Sequence, residues 1–90
     1  MTLNDVIFIE SLPKLDLHGY DRQTAVVELR DFIRDQVKLK QEVVVVVHGI
    51  GSGVIYDVCQ RELKQHKKVV DFKSYYYNRG CTLVQLEIEK

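Results

Sequence analysis

The run VVVVVHGIGSG, Val43 to Gly53, decides how this chain folds. Five consecutive valines are β-branched and apolar at both parities, so they read as a strand covered on both faces or central in its sheet. The strand closes on a titratable residue, His48, and passes into a loop with glycine at positions 49, 51 and 53. Ile55, Val58, Cys59 and Leu63 then recur at helical spacing, predicting a helix that ends near His66. The order strand, glycine loop, helix is half of a parallel β-α-β unit.

Working outward, KLDLH (Lys14 to His18) alternates, with Leu15 and Leu17 on one side and Asp16 and His18 on the other. Gly19 interrupts it, and Asp21 is suited to cap a helix running to about Lys38. Ala25, Leu29, Phe32, Ile33 and Val37 share one face of that helix. Downstream, VVDFKSYYY predicts a third strand, NRG (Asn78 to Gly80) a tight turn, and CTLVQLEI a fourth strand. The N-terminal VIFIE (Val6 to Glu10) reads as a short strand or an extended arm.

The order is β-α-β-α-β-β, an α/β, or two-layer α+β, sandwich. Its two helices share one face of a four-stranded sheet, the other face is expected to be open, and right-handed crossovers join the parallel strands. Residues 1–14 form an N-terminal extension or short strand and residues 15–90 the domain. Tyr75 and Tyr77 would lie on the open face beside Lys73, read first as ordinary β-formers and second as a surface for base stacking.

The chain has 90 residues, 46% hydrophobic and 29% charged, with a formal net charge of zero, which suits one domain with one modest core. Any nucleic-acid contact must therefore rest on local charge. Cys59 and Cys81 lack CxxC spacing and read as reduced core residues. The N-terminus has no basic segment followed by a long apolar run, and the longest apolar stretch is too short to span a bilayer. A cytoplasmic protein without a membrane partner is the expectation.

Parallel strands present their carboxyl ends along one edge, where ligands bind in open α/β sheets. His18 closes the first strand and His48 the second; on neighbouring strands their backbones stand about 5 Å apart. Gly49, Gly51 and Gly53, with Ser52 in the same loop, let backbone N–H groups and the second helix's N-terminus face an anion. Arg22 and Arg79 belong to the same edge. Asp16 shares a face with His18. Two histidines beside a phosphate-sized anion site suit acid–base chemistry on a phosphodiester. GIGSG is neither GxGxxG nor followed by GK[ST], which disfavours dinucleotide and P-loop readings.

With LDLHG (Leu15 to Gly19) and HGIGSG (His48 to Gly53) in hand, the chain resembles the Smr, or small MutS-related, domain from Leu15 to Lys90. The likeness extends to Ala25, Leu63, Phe72 and GCTLVQL. It implies a mixed sheet similar to the C-terminal domain of a translation initiation factor, with the fourth strand antiparallel and inserted beside the third. It also implies a nucleic-acid endonuclease or binder, nicking DNA or cutting RNA, including messenger RNA on ribosomes. Carried over by motif, Asp16, Leu17 and His18 are the catalytic-motif positions, and His48, Gly49, Gly51 and Gly53 the second-motif positions. Ile50 stands where the family often has Lys or Arg, and the second helix starts without basic residues, so phosphate contacts are fewer.

The expectation from residues and resemblance together is an endonuclease acting on RNA, or on structured DNA. Its catalytic residues are Asp16, His18 and His48; Gly49, Gly51, Ser52, Gly53, Arg22 and Arg79 hold phosphate. No cofactor is required, no small-molecule cofactor is expected, and no metal ligands are assigned; a divalent ion at Asp16 is the variant left open. The partner is nucleic acid, with the ribosome as a means of holding substrate. The alternative is a non-catalytic module that docks on RNA or the ribosome through the same edge.

Overall fold

The structure is a computed structural model, and it describes residues 3, 6, 8–51 and 53–89. The elements in chain order are β1 (Lys14–Asp16), α1 (Arg22–Lys38), β2 (Val43–Val47), α2 (Val54–Gln65), β3 (Val69–Tyr75) and β4 (Asn78–Leu86). The two helices and four strands expected from Lys14 onward are present. The sheet order is β1-β2-β4-β3. β1 pairs with β2 in parallel, while β4 lies between β2 and β3 and is antiparallel to both. The insertion expected from the Smr resemblance is thus the topology found. No described helix is long and apolar enough to cross a membrane.

α1 begins where its cap is strongest: the Asp21 side chain accepts from the Thr24 N–H at 2.7 Å. Ala25, Leu29 and Ile33 are buried on its inner face. They pack with Leu17, Val44, Val46, Val58, Cys59, Leu63, Val84 and Leu86 between helices and sheet. This cluster is the main core. Cys59 and Cys81 are both free and buried.

The opposite sheet face is covered rather than open. Leu3, Val43, Val45, Tyr75, Cys81 and Leu83 form a second buried cluster, with Val6, Ile9, Leu12 and Val47 packed against it. The N-terminal segment supplies the cover. Among its described residues it forms no strand, whereas VIFIE was expected as a strand or arm; Ile7 lies outside the described residues. The segment folds back through turns (Val6 N–H to Leu3 O, Leu12 N–H to Ile9 O). The Lys14 ammonium holds the second turn by donating to the carbonyls of Ile9, Glu10 and Leu12. The valine run is apolar at both parities because β2 has a core on each side.

The hairpin also differs from expectation. Tyr75 pairs with Asn78, so the turn is Tyr76–Tyr77, and Asn78, Arg79 and Gly80 already belong to β4. Asn78 and Gly80, residues usual in turns, serve other ends. The Asn78 side chain accepts from the Gly80 N–H at 2.9 Å, and Gly80 makes room for a neighbouring backbone.

Candidate functional site

The site is built where β1 and β2 end. Asp16 is in register with Val47, and the Leu17 N–H donates to the Val47 carbonyl at 2.7 Å. This brings His18 against the loop that follows β2. Gly49 has φ 83°, and a Cβ on it would lie 3.4 Å from the His18 Cβ, so the position demands glycine for conformation and for space. β4 reaches the same edge from the other side. The Gly80 carbonyl accepts from both the His48 N–H (2.9 Å) and the Gly49 N–H (3.1 Å). A Cβ on Gly80 would meet Gly49 Cα at 3.4 Å.

The two histidines share the edge but differ in kind. His18 Nδ1 lies 2.5 Å from Asp16 Oδ1, and that oxygen also accepts from the His18 backbone N–H at 3.1 Å. A carboxylate only accepts here, so Nδ1 carries the proton and Nε2 keeps its lone pair. The His18 side chain is 70% exposed. The His18 ring N–H first, then its backbone N–H, hold the Asp16 carboxyl below the usual carboxylate range.

His48 is 5% exposed and has both ring nitrogens engaged. Nδ1 donates to the Gly49 carbonyl at 2.9 Å, while Nε2 stands 2.9 Å from Thr82 Oγ1. The Gln60 amide donates to the same hydroxyl at 3.4 Å, which leaves the hydroxyl proton for His48 Nε2. The Tyr56 ring packs edge-on against the imidazole with centroids 5.0 Å apart. In this arrangement His48 ties the loop to β4 and α2.

Above these residues is an open cleft of about 640 Å³ lined by His18, Tyr20, Arg22, His48, the Gly49–Gly51 backbone and the start of α2. α2 begins at Val54 behind the N-cap Gly53, which makes no side-chain capping bond, and Gly53, Val54 and Ile55 line the cleft, placing the positive end of the helix dipole beside it. Asp57 in the first turn offsets part of that potential. The structure therefore brings together Asp16, His18, His48, Gly49, Gly51, Gly53 and Arg22. Arg79 is exposed at the start of β4, on this edge but outside the cleft lining. Ser52 lies outside the described residues. Among the described residues, no three His, Cys, Asp or Glu side chains group as metal ligands.

Sequence reasoning missed Tyr20, Tyr56, Gln60 and Thr82. Thr82 carried a usable signal, a hydroxyl between Cys81 and Leu83 in a central strand, where a buried polar group needs a partner. Gln60 had none, because its contact with Thr82 joins segments 22 residues apart.

A family model for the Smr domain matches residues 15–87. Endonuclease MutS2 of Staphylococcus aureus is 38% identical over 67 residues, covering 74% of this chain and 9% of that protein. The chain thus spans under a tenth of the length of this curated relative. The crystal structure of the Smr domain of Thermus thermophilus MutS2 aligns with a TM-score of 0.82 at 23% identity, covering 84% of this chain and 99% of that one. YdaL, a stand-alone small MutS-related protein from Escherichia coli, aligns with a TM-score of 0.78 at 17% identity, covering 81% and 63%. The two structures share the fold, and the family model covers β1 through β4. This chain belongs to the Smr domain family.

Proposed function

We propose that this chain is a nucleic-acid endonuclease with RNA as its substrate class, cutting at the cleft over His18. The observation that carries the reading is the Asp16–His18 pair, which engages Nδ1 of an exposed ring and leaves Nε2 without that partner, beside a cleft lined by the glycine-loop backbone. His18 Nε2 takes the proton of a ribose 2′-OH as that oxygen attacks the adjacent phosphorus. Asp16 fixes the ring's tautomer and stabilises the imidazolium, as a carboxylate does in a catalytic triad. The N–H groups at the start of α2, the Ile50–Gly51 backbone and Arg22 receive the negative charge that builds on the phosphate oxygens. The bond to the 5′ oxygen breaks, that oxygen takes a proton from water in the open cleft, and the products are a 2′,3′-cyclic phosphate and a 5′-hydroxyl.

In this scheme His48 is a positioning residue. It holds Gly49 and Gly80 where the cleft needs them and does not exchange protons with substrate. The scheme requires no metal ion. With zero net charge and few cations at the site, a partner such as the ribosome would hold the substrate in place.

The test is cleavage of matched RNA and DNA strands with and without chelator, with analysis of the product ends. Cyclic-phosphate products from RNA alone, formed in chelator and abolished by His18→Ala, support the reading. Metal-dependent 5′-phosphate products would replace it with a scheme in which Asp16 holds a divalent ion. The second reading, a non-catalytic module that binds RNA or the ribosome, is favoured by the engagement of both His48 nitrogens, which leaves one imidazole where a paired acid and base would use two. Binding without cleavage, unaffected by His18→Ala, would select it.

A further inference from the structure

A two-residue hairpin turn is ordinarily built from Gly, Asn or Asp, yet the turn between β3 and β4 is Tyr76–Tyr77. Tyr76 is 88% exposed and Tyr77 68% exposed. Among the described residues neither hydroxyl has a hydrogen-bond partner. Neither ring contributes to a core, so the fold does not account for them.

The rings nonetheless touch one another. Tyr76 and Tyr77 meet edge to face at 5.0 Å, and Tyr77 meets Tyr75 at 5.6 Å. Tyr75 is buried in the second core, so the series of rings runs from that core out to solvent.

The tip also lies on the edge that carries His18. Asp16, Val47 and Cys81 form one row across β1, β2 and β4. His18 follows the end of β1 just past that row, and Tyr77 precedes β4 past the same row, so both belong to one edge of the sheet. Arg79, exposed and without a partner among the described residues, follows Tyr77 on the way back toward the cleft.

We propose that Tyr76 and Tyr77 form a stacking platform for unpaired nucleobases flanking the phosphodiester held at His18, with Arg79 taking a phosphate between the two. This inference rests on the nucleic-acid reading of the His18 cleft and specifies its substrate as single-stranded at that point. A duplex keeps its base faces covered, whereas an unpaired strand offers them to aromatic rings. Stacking needs no net positive charge, which suits a chain whose charges sum to zero.

The test uses the full chain with His18→Ala, so that bound strands are not cut. Three fluorescein-labelled probes are titrated: a short single-stranded RNA, the same strand with abasic sites at its centre, and its blunt duplex. Tyr76→Ala and Tyr77→Ala are each expected to weaken single-strand binding about 5- to 150-fold, the range for loss of one stacked base. Tyr76→Trp should restore it, and the abasic strand should bind weakly and ignore all three changes. Thermal melting verifies that these exposed substitutions leave the fold intact. Equal affinities across the tyrosine variants, duplex preferred over single strand, or no single-strand binding at all would overturn the platform; in the last case the tip would fit a protein partner better.

The two readings fail separately. If the tyrosine variants bind weakly while protein with His18 intact cuts nothing, the platform stands and the endonuclease falls. If tyrosine variants with His18 intact cut RNA with an unchanged KM, the endonuclease stands and the platform falls.

Discussion

Thr82 Oγ1 lies 2.9 Å from His48 Nε2 in the interior, joining the central strand to the glycine loop across 34 residues of sequence. Both residues are buried, so this bond has no water to replace it. Thr82→Val keeps the shape and removes the hydroxyl, leaving His48 Nε2 and the Gln60 amide unsatisfied. The expected cost is about 1–3 kcal/mol in urea unfolding, the penalty for an orphaned buried polar group. Thr82→Ser should recover most of it. An unchanged midpoint in Thr82→Val would contradict the network.

Asp16→Asn should leave the fold intact, since both members of the dyad face water. Cleavage should fall by about 10²- to 10⁴-fold, because an amide neither fixes the His18 tautomer nor stabilises its charged form. The pH dependence follows from the lowered Asp16 pKa. A carboxyl depressed below its ordinary 3.8 contributes fully above that value and is lost only as pH falls through the lower folded value. Asp16 therefore stays charged above pH 3.8, and an acid-side loss of rate above that value does not come from Asp16. Near-full activity in Asp16→Asn would remove the carboxylate from the scheme.

Gly80→Ala places a methyl group 3.2 Å from Asn78 Oδ1 and 3.4 Å from Gly49 Cα. The tight contact is with the Asn78 side chain, which accepts from the Gly80 N–H and must give by a few tenths of an ångström, while the Gly49 backbone stands at ordinary contact distance. A loss of about 1 kcal/mol is expected, with impaired cleavage, and Gly80→Val should cost more by overpacking. Amide chemical shifts of Gly49 and His18 would report the displacement. Shifts that do not move would show the loop to be independent of β4.

Leu3→Ala should destabilise the protein by about 2 kcal/mol, because Leu3 is 2% exposed in the second core. Phe8, larger but 75% exposed, is the control, and Phe8→Ala should change stability by less than about 0.5 kcal/mol. Denaturant unfolding of the two variants separates a packed cover from a loosely attached arm. Equal effects would mean that the N-terminal segment does not seal the sheet.

Local patterns were legible where the cause is local. Asp21 three residues before Thr24, and the stripe from Ala25 to Val37, located α1 because capping and amphipathicity act within a few turns. The valine run reads as a strand either covered on both faces or central in its sheet, and the second sheet face was expected to be open, whereas the N-terminal segment covers it. Leu3, Ile9 and Leu12 reach Val45 and Leu83 only through the tertiary fold. The hairpin was misplaced because Asn78 and Gly80 look like turn residues, while the actual turn is two tyrosines. At the site, LDLHG and HGIGSG located both histidines on one edge. Nothing in either motif distinguishes an exposed His18 from a buried His48, since the difference rests on Thr82, Gln60 and Tyr56.

The insertion of β4 between β2 and β3 also has a consequence for biosynthesis. A chain leaving the ribosome presents β1, α1, β2, α2 and β3 before the strand that joins them. β2 and β3 do not touch as neighbours, so until β4 has emerged the nascent chain can pair β1 with β2 but cannot close the sheet. The N-terminal cover waits too, since Cys81 and Leu83 form part of its seat. Pairings of such long sequence separation fold slowly. In the interval the exposed valine edge of β2 is a target for chaperones or for other nascent chains.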